Sequence, residues 1–121
     1  MDLKTYSEKA LGVAKKEVLQ DKSMCLMNAA LGLTGEAGEF ADHIKKAMFQ
    51  DAEMDEGKLI AELGDICWYV NEAAFALGVT FEEVLAKNIA KLAARYPSGM
   101  FDPERCRDRD TEAERVAMEM A

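Results

Sequence analysis

Four acids stand at a repeated spacing in the chain: Glu36 with Glu39, then Glu62 with Asp65. Residues three apart share one face of a helix, and each pair borders the apolar stripe of its segment instead of standing opposite it. Carboxylates so placed point toward the seam between two helices. Converging there, they repel one another unless they bind protons or share cations. Hard divalent cations with oxygen ligands meet that need, and Mg²⁺ suits a site that leaves coordination positions to a phosphorylated ligand. Spacing alone leaves a second reading open, an ordinary solvated face in a chain with 23 Asp and Glu residues. Gly32 and Gly35, read on the same face as Glu36 and Glu39, favour the first reading, because they leave room for something bulky over the carboxylates.

Farther along, Lys87, Lys91 and Arg95 fall at i, i+4 and i+8 with Asn88 beside them. A basic stripe can hold phosphates through charge-assisted hydrogen bonds, or it can be a solvated helix face paired with acids such as Glu83. Arg95 equally suits a helix C-terminus. The net charge of -8 argues against a nucleic-acid polymer as partner, since duplex binding draws on many Lys and Arg contacts to phosphate. A carboxylate-bridged di-iron bundle would want two Glu-x-x-His motifs, and His43 is the only histidine; it reads as a helix-surface residue. Cys25, Cys67 and Cys106 share no CxxC spacing and read as reduced thiols, two of them on buried helix faces.

The elements that must position these residues are helices. Thr5 to Glu8 has the form of a capping box, and apolar residues then recur toward Leu19, so a first helix is predicted over about Thr5–Leu19. After the polar break at Asp21-Lys22-Ser23, one stripe from Leu26 through Leu33 and Phe40 to Met48 marks a long second helix containing Gly32, Gly35 and Gly38. A third helix is expected from near Asp55 to Gly78, a residue suited to a left-handed C-terminal position. A fourth starts at the capping box Thr80 to Glu83 and stops before Pro97. From Ser98 the sequence reads as an extended charged tail, closing with a short helix from Thr111, which divides the chain into a helical domain, 1–97, and a tail, 98–121. On the third helix Leu63, Ile66, Cys67, Val70, Ala74 and Leu77 fill one arc, with Trp68 and Phe75 on the opposite side. A helix apolar on two sides needs two partners, the second a further copy of the chain or else the first helix or the tail. The fold expected is all-α, a four-helix bundle-like domain that forms a homo-oligomer, dimer or tetramer. The longest apolar run, Ala73–Leu77, is too short to span a bilayer and the start Met1-Asp2-Leu3-Lys4 lacks a secretory apolar core, so a cytoplasmic location without membrane partner is expected.

The runs NAALGLTGEAGE from Asn28 to Glu39, ELGDICWY from Glu62 to Tyr69 and KNIAKLAARYP from Lys87 to Pro97 closely resemble those of the MazG-like all-α nucleoside triphosphate pyrophosphohydrolases, over about Tyr6 to Phe101. The family's signature is ExxE, a variable spacer, then ExxD. The resemblance implies Mg²⁺-dependent hydrolysis of a (d)NTP between its α and β phosphates, with Mn²⁺ able to substitute. It implies Glu36, Glu39, Glu62 and Asp65 as metal ligands, with one of the first pair, Glu36 for preference, acting through water as general base. It further implies Lys87 and Asn88, with Lys91 or Arg95, as triphosphate contacts, Tyr69 as a base contact and Asn28 as a contact to base or sugar. Many relatives carry Gln after the Tyr of the first helix where this chain has Ser7, so the resemblance does not carry a base contact over from the first helix. The alternative function is a non-catalytic helical module for oligomerisation or regulation.

Overall fold

The computed structural model describes residues 1–121 and contains seven helices and no strand: α1 (Leu3–Leu11), α2 (Lys16–Leu19), α3 (Lys22–Phe49), α4 (Glu56–Ala76), α5 (Phe81–Arg95), α6 (Pro103–Arg107) and α7 (Thr111–Met120). Aspartates start most of them. Asp2, Asp21, Asp55, Asp102 and Asp110 each accept a hydrogen bond from a backbone N–H of the following first turn, satisfying donors that have no partner inside the helix. Asp2 therefore caps the first helix, three residues ahead of the capping box predicted at Thr5. The chain forms two compact units, Met1–Thr80 and Phe81–Ala121.

The first unit is built on α3 against α4. Cys25 and Asn28 meet Glu72, Gly32 meets Tyr69, and His43 meets Glu62, so the partners run in opposite order and the helices are antiparallel. Small residues let them approach closely: Cys25 and Ala29 are buried on α3 and Ala74 on α4. The closest approach is at Gly32, where a Cβ would stand 2.2 Å from the Tyr69 ring. Nothing lies within 4 Å of that position at Gly35 or Gly38. The room expected beside the carboxylates is thus occupied at Gly32 by Tyr69, while Gly35 and Gly38 are open. At the end of α4, Gly78 adopts φ 73°, and the N–H groups of Gly78 and Val79 donate to the carbonyls of Phe75 and Ala74. That paired closure is the Schellman arrangement, which needs a left-handed residue where Gly78 stands.

The single first helix predicted over Thr5–Leu19 is divided. After Leu11 the backbone bonds tighten, with Val13 N–H on the Ala10 carbonyl and Ala14 N–H on that of Leu11, and Lys15 turns extended before α2. Gly12 makes the break inexpensive, since glycine costs a helix about 1 kcal/mol relative to Ala. A distant residue fixes its position: the Trp68 indole N–H donates to the Ala10 carbonyl at 3.1 Å. Trp68 is therefore covered by α1. Phe75, Leu63, Cys67 and Leu77 on the same helix remain exposed, as do Met24, Met27 and Leu31 on α3, the last at 69%. Cys25 alone of the three thiols is buried, which corrects the expectation that two would be.

In the second unit α5 packs against α7; α7 is the closing helix expected from Thr111, while the stretch before it, expected to be extended, carries the short helix α6. The Glu114 carboxylate, 3% exposed, accepts from Arg95 Nε at 2.8 Å and Nη2 at 3.3 Å and from Arg109 Nε at 3.1 Å. Arg109 is a member of the alternating Arg and Asp run that reads as extended, yet it and Arg95 supply the charge that allows α7 to bury an acid. No helix is long and apolar enough to cross a membrane.

Candidate functional site

Because α3 and α4 are antiparallel, the i, i+3 pairs on each face one another across the seam. One carboxylate oxygen from each of Glu36, Glu62 and Asp65 lies within 4.8 Å of the others. Glu39 is exposed beside them, near enough to act electrostatically on Glu36 and to hydrogen-bond Glu62. The crowding shows in proton affinity. Glu36 is pushed up to about 7, first by its hydrogen bond with Glu62, then by burial and by the charges of Glu39 and Asp65. Glu62 is held below its ordinary value, first by the same bond with Glu36 and further by His43 and Glu39. The crowding thus favours protonation of Glu36 over that of Glu62.

Oε2 of Glu36 and Oε2 of Glu62 are buried with no hydrogen-bond partner. Buried carboxylate oxygens are normally satisfied, and two orphaned in one cluster are what a site for a hard cation requires. The donor set, oxygen only and acidic, fits Mg²⁺ or Mn²⁺. His43 Nε2 lies 3.2 Å from Glu62 Oε1, so the histidine read as a plain surface residue borders the acids and fixes the Glu62 side chain. Tyr6 of α1 also reaches this end: its phenol is pushed up by burial and then by Cys67 and Asp65.

A cavity of about 310 Å³ opens beside the acids, lined by Glu36, Asp65, Trp68 and Tyr69. A second, of about 240 Å³, has Asn28, Glu72, Trp68 and Tyr69 among its walls, with Val13, Ala14, Lys15 and Val18 completing them. Trp68 and Tyr69 thus line both, their rings edge to face at 5.1 Å between centroids. The structure brings Glu36, Asp65 and Tyr69 to the first cavity, with Glu62 against the same acids, and places Asn28 in the wall of the second. Lys87, Asn88, Lys91 and Arg95 belong to α5 in the other unit. There Lys87 Nζ donates to the Met118 carbonyl at 2.7 Å, and Arg95 is engaged by Glu114. Sequence reasoning missed Glu72, although a signal existed: an acid set among apolar neighbours, seven residues and two turns beyond Asp65 on the same face.

Residues 26–100 match the MazG nucleotide pyrophosphohydrolase domain. The chain belongs to this family. A relative, the Gene 37 protein of Mycobacterium phage L5, is 37% identical over 79 residues, covering 62% of this chain and 69% of that protein. No solved structure matches significantly. The matched span of the MazG domain takes in Asn28, both acidic pairs, Tyr69, Glu72 and the α5 stripe, and leaves α1, α2, α6 and α7 outside it.

Proposed function

We propose that this MazG domain is a Mg²⁺-dependent nucleoside triphosphate pyrophosphohydrolase. The observation that carries the reading is the convergence of Glu36, Glu62 and Asp65 with two orphaned buried oxygens. Glu36, Glu39, Glu62 and Asp65 would hold the cation. Bound there, Mg²⁺ or Mn²⁺ polarises phosphoryl oxygens and lowers the pKa of a water molecule. The proton that crowding favours on Glu36 would be displaced by a bound cation, and the carboxylate so freed is the one of the first acidic pair to which we assign removal of a proton from the attacking water. Water oxygen bonds to the α-phosphorus as the bridge to the β-phosphate breaks, giving a nucleoside monophosphate and pyrophosphate. Trp68 and Tyr69 offer aromatic surface to the base. Lys87 and Asn88, with Lys91 or Arg95, are the phosphate contacts that the family resemblance implies.

The exposed apolar residues Met24, Met27 and Leu31 on α3 and Ile60 and Leu63 on α4 support assembly into a homo-oligomer, because uncovered apolar rows favour association. The decisive experiment mixes the protein with a panel of (d)NTPs and Mg²⁺ and measures released pyrophosphate. Release is expected, and Glu39→Gln or Asp65→Asn is expected to abolish it while far-ultraviolet circular dichroism stays helical. No release from any nucleotide would favour the non-catalytic module.

A further inference from the structure

Phosphate chemistry accounts for the acid-lined cavity and leaves the second chamber unexplained. At its wall Glu72 is 1% exposed. Asn28 Nδ2 donates to its Oε1 at 2.9 Å and to its Oε2 at 3.0 Å, and the Cys25 thiol adds a weaker bond to Oε1 at 3.7 Å. All these donors are neutral. A carboxylate buried without a bonded cation is costly, and if the only task were to join α3 to α4, an amide or an apolar pair would do it at lower cost. The acid is nevertheless set where it lines a cavity.

Where the seam meets this chamber, the polar atoms that Glu72 and Asn28 leave uncommitted are acceptors, and the one cation of the lining is Lys15, on the opposite lip. An ionised carboxylate offers about four lone-pair sites and no donor; Oε1 serves two donors, whereas Oε2 serves Asn28 alone. With Nδ2 committed to Glu72, the side-chain atom left to Asn28 is its carbonyl oxygen, another acceptor. Distance along the seam fits a nucleotide. Asn28 lies eight residues from Glu36 on α3 and Glu72 seven from Asp65 on α4, roughly 10–12 Å at the helical rise. That is about the span from the 5′-phosphate of a nucleotide to the far edge of its base. Trp68 and Tyr69 line both cavities between those ends.

We propose that Glu72, with Asn28, reads the base and selects nucleotides whose base carries an exocyclic amino group, guanine foremost, over uracil and thymine. The proposal rests on the nucleotide reading above. Guanine presents two adjacent donors, N1–H and the 2-amino group, to a carboxylate. Cytosine and adenine present one amino donor. Uracil and thymine flank their single N–H with carbonyl oxygens, which would face the acceptors of Glu72 and Asn28 without a donor between them.

Trp68 is the only tryptophan, so its fluorescence reports occupancy of either cavity. The test titrates the protein, with Mg²⁺, against non-hydrolysable α,β-imido analogues of dGTP, dCTP, dATP, dTTP and dUTP. The dGTP analogue is expected to bind roughly tenfold or more tightly than those of dTTP and dUTP, the scale of a hydrogen bond to a charged group. Glu72→Gln exchanges one acceptor for a donor at constant shape and is expected to compress that ratio by improving dTTP and dUTP binding. Equal binding of all five analogues by the wild type overturns the proposal, as does an unchanged ranking in folded Glu72→Gln. Should the variant fail to fold, the wild-type ranking decides alone. Pyrophosphate release without a base ranking overturns the base reading and upholds hydrolysis; ranked binding without release does the reverse.

Discussion

Substituting Gly32 by Ala tests how the two cavities are kept apart. The added methyl would stand 2.2 Å from Tyr69 Cε1, 1.2 Å short of the 3.4 Å at which ordinary contact begins, so the ring must retreat by about that much. Two effects of opposite sign follow. Alanine favours the helix by about 1 kcal/mol, while forcing a ring from a packed site costs typically about 1–3 kcal/mol. Wild-type background therefore gives a net change between near zero and about 2 kcal/mol destabilising, a fall in melting temperature of no more than about 10 °C for a chain of this length. In a Tyr69→Ala background the clash is gone and only the helical gain survives, so the same substitution should stabilise. A double-mutant cycle over Gly32→Ala and Tyr69→Ala, measured by urea unfolding, is expected to return a coupling of about 1–3 kcal/mol. Coupling below about 0.5 kcal/mol would refute the contact. The retreating ring also reshapes a wall common to both cavities, so nucleotide binding should weaken even where stability is unchanged.

Acid–base behaviour supplies a second expectation. Glu36 binds its proton more tightly folded, at about 7 against an ordinary 4.5, so its contribution to metal-free stability is full below about pH 4.5 and is lost as pH rises through about 7. Melting temperature without divalent cation should fall across that window, and Glu36→Gln should flatten the slope; a flat wild-type profile would contradict the crowding. Glu114 behaves oppositely: Arg109 and Arg95 hold it down to about 2, so its contribution is present above about pH 4.5 and disappears as pH falls through about 2. Glu114→Gln should lower hydrogen-exchange protection across α7 relative to α3, and equal protection would sink that account. Under native conditions a thiol reagent should label Cys67 and Cys106 but not Cys25, whose thiol is pushed up mainly by burial; three labelled thiols would show that the α3–α4 seam opens.

What was legible in the sequence was local. Apolar stripes and caps placed α3, α4 and α5 within a few residues, and Gly78 announced its left-handed turn. Family membership and the all-α class follow from the same runs of residues. The break after Leu11 was hidden because its position depends on Trp68, 58 residues away. The α7 helix was only glimpsed, since the burial of Glu114 rests on Arg95 and Arg109, which periodicity does not pair. Among the acids, spacing put Glu36, Glu62 and Asp65 on facing sides but gave no reason for His43 to turn toward Glu62. Glu72 was visible as an acid in an apolar run, and its importance emerges only from its neighbours Asn28 and Cys25 across the seam.

The turn that interrupts the first helical segment has an evolutionary consequence. Val13, Ala14 and Lys15 form a lip of the chamber that holds Glu72, and they do so from irregular backbone, not from a helix. Changes of length or side chain in a surface turn are tolerated far better than changes within packed helices. The acids of α3 and α4 can therefore stay fixed while this short lip drifts, letting descendants reshape the chamber without rebuilding the α3–α4 seam.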